Sequence, residues 1–173
     1  MFVGSAYPHK RLDLLLSAWK HVSARYPDMD LVVAGELDAF MQRVQTAVKL
    51  EKLPNVKFLG RVTDDRLAEL YRDAVTLVWP SSFEGFGLVP LEALASGCPV
   101  VSSDSTCMPE VLGNSGVSYF KSGSRDGIIE AINTVVDNLE KYRKEAKESQ
   151  SALSERHSWK KAAALTLSAY RRV

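Results

Sequence analysis

The sequence predicts a doubly wound, Rossmann-like α/β fold, a parallel sheet of about six strands with helices on both faces. Its apolar runs are short and apolar throughout rather than alternating, the pattern of strands buried on both faces. Helical periodicity separates each run from the next, as crossovers between parallel strands require. Glycines close three of the runs, at Gly4, Gly35 and Gly60. Such glycines either end a strand or let backbone approach a ligand closely.

Met1 to Gly4 reads as the first strand, and Leu12 to Tyr26 as a helix with Leu12, Leu15, Leu16, Trp19 and Val22 on one face. Asp30 to Gly35 is a strand stopped by glycine. Asp38 to Leu50 is helical, with Phe40, Val44, Ala47 and Val48 directed inward. Val56 to Gly60 is the third strand. Thr63 caps the next helix, with Asp64 and Asp65 in its first turn and Leu67, Leu70 and Tyr71 on its buried side. Val75 to Trp79 is a strand and Leu88 to Ser96 a helix, stopped by Gly97. Cys98 to Ser102 is a strand with Pro99 held near its start. Pro109 opens a short helix, where proline is tolerated in the first turn. Val117 to Phe120 is a last, weak strand. Asp126 to about Ser151 is helical and broken near Asn138, and 159–171 is a terminal helix.

At 173 residues the chain suits one domain, 1–173, with a core of its own. Hydrophobic content of 46% and charged content of 25% are those of a soluble globular protein. A net charge of +1 argues against a nucleic-acid surface. No apolar stretch reaches bilayer length, and the start lacks the basic and apolar regions of a signal peptide. Cys98 and Cys107 read as free thiols in a reducing compartment. His9, His21 and His157 form no metal-ligand spacing. A chain that begins directly at a core strand is either a natural small domain or a piece of a larger protein.

In a doubly wound sheet the ligand lies beyond the carboxyl ends of the strands. That rule selects the loops after Gly4, Gly35, Gly60, Trp79 and Ser102. The loop after Trp79 is the most informative, because it runs Pro80-Ser-Ser-Phe-Glu-Gly-Phe-Gly-Leu-Val-Pro-Leu-Glu92. Strand, glycine-bearing turn and helix start together attract anions through free backbone N–H groups. Glu84 and Glu92 flank that turn with seven residues between them. Carboxylates there suit a ligand that carries hydroxyls as well as phosphate, as a nucleotide sugar does. Taken singly, Glu84 reads as a carboxylate beside a helix start and Glu92 as a solvated helix residue.

These residues resemble the retaining glycosyltransferases of the GT-B fold, specifically their fourth sequence family. The resemblance is carried by Pro80 to Leu88, by Glu92-Ala-Leu-Ala-Ser-Gly-Cys-Pro-Val-Val101 and by Pro109-Glu110-Val. Phe2 to Lys10 resembles that family's first strand and phosphate loop, and Phe58-Leu-Gly60 also matches. It covers essentially the whole chain but only the carboxyl-terminal, donor-binding half of a typical member. The resemblance implies that Glu84 sits near the transferred sugar and Glu92 accepts from the ribose hydroxyls. Gly85, Phe86, Gly87 and Leu88 would offer backbone N–H groups to the diphosphate and sugar, although Phe86 reads equally as core. Lys10 would act as a point charge on phosphate, in a loop that includes Gly4 and Ser5. Arg61 and Val62 fall in the expected base-binding loop, and Glu110 is expected to hold the loop after Ser102. The terminal helix resembles one that packs back across the cleft between domains, or else covers the sheet.

The chain departs from the family pattern at Ser5, where many members carry a second phosphate-binding arginine. Arg11 either supplies that charge or faces water. No metal or other cofactor is expected, since enzymes of this kind generally need none. The implied partners are a nucleoside-diphosphate sugar and a glycan or lipid-linked acceptor held by an amino-terminal domain. The Tyr-Pro-His-Lys loop leans the reading toward mannosyl or rhamnosyl donors in polysaccharide biosynthesis. The implied location is cytoplasmic, at the cytoplasmic face of a membrane where the acceptor is lipid-linked. An epimerase of the same architecture and a non-catalytic nucleotide-sugar-binding module stand as alternatives. A dehydrogenase does not, because no Gly-x-Gly-x-x-Gly follows any strand.

Overall fold

Neighbouring residues of the strands point into two different cores in the computed structural model, which describes residues 1–171. Arg172 and Val173, the end of the expected 1–173 span, lie outside the described residues. In β1 (Phe2–Val3) Phe2 enters one core and Val3 the other. In β4 (Leu77–Trp79) Val78 enters the first, while Leu77 and Trp79 enter the second. Val101 and Val100 divide in the same way in β5 (Val100–Ser103). This two-sided burial is why these runs are apolar throughout. Helices α1 (Leu12–Arg25), α2 (Ala39–Leu50) and α6 (Arg125–Asp137) close the first core. Helices α3 (Asp64–Asp73), α4 (Leu88–Ala95), α5 (Met108–Leu112) and α7 (Leu139–Arg156) close the second.

Among the described residues six parallel strands form, with β2 (Leu31–Ala34), β3 (Val56–Gly60) and β6 (Val117–Phe120) completing the set. They make two three-stranded ladders, β1-β2-β3 and β4-β5-β6. The ladders meet where the Val78 N–H donates to the Met1 carbonyl at 2.9 Å. β1 is too short to extend that seam, because Gly4, at φ 128, turns the chain away after two residues. The resulting spatial order, 3-2-1 beside 4-5-6, reverses direction between β1 and β4. A crevice at the carboxyl ends of the strands opens at such a reversal.

Most elements fall where the sequence puts them, including the break at Asn138 between α6 and α7. Three expectations are corrected. Phe40 is exposed rather than inward, and Met41 is fully buried in its stead. The Asp38 carboxylate caps α2 by accepting from the Met41 N–H at 2.8 Å, which fixes the helix phase, and Phe40 meets Tyr7 edge-on. β3 is an edge strand whose burial alternates, with Lys57 and Leu59 facing solvent. The terminal helix α8 (Trp159–Tyr170) buries no side chain, so it does not cover the sheet. Among the described residues no helix is long and apolar enough to cross a membrane.

Candidate functional site

Three loops meet at the carboxyl ends of β1, β4 and β5, and hydrogen bonds tie each to the next. After β1 the Gly4 N–H donates to Ala34 O at 2.8 Å, and the chain then forms a short 3-10 turn over Pro8–Lys10. The His9 carbonyl of that turn accepts from the Ser82 N–H at 2.8 Å and from Ser81 Oγ at 3.1 Å. The β1 loop is thereby fastened to the β4 loop. From the β5 loop, Ser105 Oγ donates to the Ser81 carbonyl at 2.8 Å, and Ser103 Oγ donates to the same carbonyl. Ser81 and Ser103 are fully buried, so these bonds are shielded from competing water.

The arrangement brings Lys10 onto Glu84. Lys10 Nζ donates to Glu84 Oε1 at 2.7 Å and lies 4.6 Å from the centre of the Trp79 ring. Both side chains are largely sheltered, at 18% and 11% exposure, which sets this pair apart from the surface ion pairs elsewhere on the chain. An anion bound here would compete with Glu84 for the ammonium. Arg11, in the left-handed region at φ 51, turns its guanidinium to Asp13 at 3.3 Å. Ser5 is half-buried in the same loop.

Beyond Glu84 the chain passes Gly85 and Phe86 to Gly87, whose φ of 87 makes a left-handed start for α4. No side chain caps this helix, so the N–H groups of Leu88 and Val89 are left to a ligand or to water. Met108 packs under Gly87 so closely that a Cβ there would lie 2.3 Å from its Cε. Phe86 and Leu88 are exposed, which removes the core reading of Phe86. Phe86 meets His157 edge-on at 5.3 Å, beside a groove between the start of α4 and α8.

Glu92 lies at the surface of α4, and Tyr71 OH donates to its Oε2 at 3.4 Å. Desolvation raises the Glu92 carboxyl above the usual carboxylate range; the Tyr71 bond opposes this and the negative charge of Asp64 adds to it. A carboxyl that binds its proton more tightly when folded penalises folding above that raised value and not below the unfolded one. Glu92→Gln is therefore expected to raise the melting temperature slightly at neutral pH, with the gain vanishing near pH ~4. A gain that persists unchanged in acid would remove this account of Glu92.

Arg61 and Val62 follow β3, two strands from Lys10. Arg61 is exposed, Val62 packs against the second core, and neither bonds to Lys10 or Glu84. Glu110 is exposed on α5 and does not hold the loop after Ser102. That loop is held by Ser103, Ser105 and Asp104, whose Oδ1 accepts from the Ser122 N–H at 2.8 Å. The sequence reading missed Trp79, Ser81, Ser103 and Tyr71 as supports of the site. The dense Ser102-Ser-Asp-Ser-Thr106 run at a strand end was the signal available. Cys98 and Cys107 are free, as expected. Among the described residues no group of three or more His, Cys, Asp or Glu is placed to hold a metal ion.

The family model described as "Glycosyl transferases group 1" matches residues 1–152. The O-antigen chain mannosyltransferase RfbU of Salmonella typhimurium is 39% identical over 133 residues, covering 77% of this chain and 37% of the relative. O-antigen chain mannosyltransferase B of Escherichia coli is 31% identical over 182 residues, covering 99% of this chain and 45% of the relative. The chain thus spans less than half the length of either. Among solved structures, TarM matches with a TM-score of 0.83 at 22% identity, over 96% of this chain and 34% of its own. Anabaena HepE in complex with UDP matches with a TM-score of 0.81 at 23% identity, over 97% of this chain and 48% of its own. At these identities the two structures speak for the fold.

Proposed function

The chain belongs to the group 1 glycosyl transferases, and from that premise we propose that it binds the nucleoside-diphosphate sugar donor of a retaining hexosyl transfer. The observation that carries the reading is the pairing of Lys10 with Glu84 at the carboxyl ends of β1 and β4, three residues before the uncapped start of α4 at Gly87. The diphosphate is bound by Lys10 and the N–H groups of Leu88 and Val89, with Gly85 and Gly87 letting it approach. Glu92 accepts from the ribose hydroxyls. Glu84, released from Lys10 as the diphosphate draws the ammonium away, faces the sugar. Its charge stabilises the oxocarbenium-like character that develops as the nucleoside diphosphate departs.

On this reading Lys10 and the helix start supply the positive charge to the leaving group, and the transfer uses no metal. A second domain holds the glycan or lipid-linked acceptor; the greater length of the relatives supports that division. The two O-antigen mannosyltransferases support a mannosyl donor and a role in polysaccharide biosynthesis. The epimerase alternative draws no support from the relatives described.

Calorimetry on the chain tests the donor assignment. At least one of UDP, GDP and ADP is expected to bind, with affinity unchanged by EDTA. Glu92→Ala should weaken that nucleotide about 10- to 100-fold, the loss of hydrogen bonds to a charged acceptor. Glu84→Ala should weaken it far less, because it leaves Lys10 free for the diphosphate. Absence of heat with all three nucleotides would sink the proposal.

A further inference from the structure

We infer that Thr106 is a positioning residue for Glu84, holding the carboxylate where it reads the sugar rather than the nucleotide. The inference rests on the donor-binding reading above. Thr106 stands in the left-handed region at φ 50, a conformation that β-branched residues seldom adopt. Such an outlier persists only where its surroundings enforce it, and outliers of this kind gather at functional sites. Here the conformation turns the hydroxyl toward the β4 loop, where Thr106 Oγ1 accepts from the Glu84 N–H at 3.3 Å. The next residue takes the other side of the same residue: Cys107 Sγ donates to the Glu84 carbonyl at 3.5 Å.

Glu84 is thus gripped at its N–H, its carbonyl and its carboxylate, by Thr106, Cys107 and Lys10 respectively. The three grips differ in what a ligand does to them. A diphosphate competes for Lys10, so the carboxylate loses its partner when donor binds. The two backbone grips come from the β5 loop, whose serines are anchored on the Ser81 carbonyl. They remain to aim Glu84 once Lys10 has moved. A glycine would adopt φ 50 without strain, so the hydroxyl is what Thr106 contributes.

Two variants separate the hydroxyl from the backbone. Thr106→Gly keeps the left-handed conformation and removes the acceptor; Thr106→Ser keeps both the hydroxyl and its reach. The first measurement needs no donor: the rate at which iodoacetamide alkylates Cys107, with buried Cys98 as the silent thiol. Thr106→Gly is expected to speed alkylation at least threefold, and Thr106→Ser to leave it near the wild-type rate. The second measurement compares the affinity for a nucleoside diphosphate with that for its sugar conjugate. Thr106→Gly should lose about 5- to 20-fold of the affinity for the conjugate relative to the nucleotide, the size of one hydrogen-bonded contact. The nucleotide itself should bind as before, and Thr106→Ser should restore the ratio. A role in folding alone would weaken both ligands together. Unchanged alkylation, or equal losses for nucleotide and conjugate, would overturn the inference. If the wild type binds neither ligand, the donor reading falls, and the alkylation rates alone decide whether Thr106 holds Glu84.

Discussion

Under the proposed function, Glu84→Gln is expected to cut glycosyl transfer, measured with this chain joined to an acceptor-binding domain, about 10²- to 10³-fold, the scale of losing one preorganised electrostatic group. The substitution keeps the shape and the hydrogen-bonding reach of the side chain and removes its charge. The charge matters because the site is sheltered: the Glu84 side chain is 11% exposed, and electrostatic effects grow as water is excluded. On the proposed reading, positive character developing at the anomeric carbon is stabilised by a full negative charge in the wild type and only by an amide dipole in the variant. The donor KM is expected to change by less than about threefold, since the amide keeps a hydrogen-bonded contact to the sugar and the lost charge acts mainly in the transition state. The ion pair strengthens that expectation. Lys10 is held by Glu84 in the free chain, so weakening the pair makes the ammonium more available to the diphosphate, not less. Initial rates against donor concentration decide the matter. A kcat within about threefold of wild type would remove Glu84 from the reaction.

That ion pair also marks the boundary of what the sequence discloses. Glu84 and Glu92 stand out as a pair because strand, glycine turn and helix start leave a local signature between them, whereas Lys10 is singled out only through the family resemblance. The pairing of Lys10 with Glu84 joins residues far apart in the chain, and depends on the β1 and β4 loops being fastened through the His9 carbonyl. No pattern along the chain encodes that contact. The same holds for Thr106, whose importance lies in a backbone angle that its residue type disfavours. Helix phase was legible where apolar spacing was unambiguous, as in α1. It failed in α2, where Phe40 and Met41 are adjacent apolar residues and the Asp38 cap chose between them. The two ladders were likewise hidden, since the length of β1 is set by the torsion of Gly4 and not by hydropathy.

Gly35→Ala is expected to lower stability by about 3–4 kcal/mol, combining overpacking with the loss of a backbone hydrogen bond. A Cβ at Gly35 would lie 2.1 Å from the carbonyl oxygen of Gly4 and 2.9 Å from its carbonyl carbon. Those atoms are backbone, so no rotamer change can relieve the overlap. Nor can Gly35 withdraw, because its N–H donates to Gly60 O at 3.0 Å. The strain must open the gap between β1 and β2, where the Gly4 N–H donates to Ala34 O at 2.8 Å. For a chain of this size that loss corresponds to a fall in melting temperature of roughly 10 °C. Gly85→Ala is the matched comparison, since nothing lies within 4 Å of a Cβ there, and its melting temperature should stay within about 2 °C of wild type. The two glycines follow different strands, β2 and β4, and only one of them is required by packing. A Gly35→Ala melting temperature equal to that of Gly85→Ala would mean that β1 can yield without cost. Lys10, carried by the loop that follows β1, would then not be held against Glu84 by the sheet beneath it.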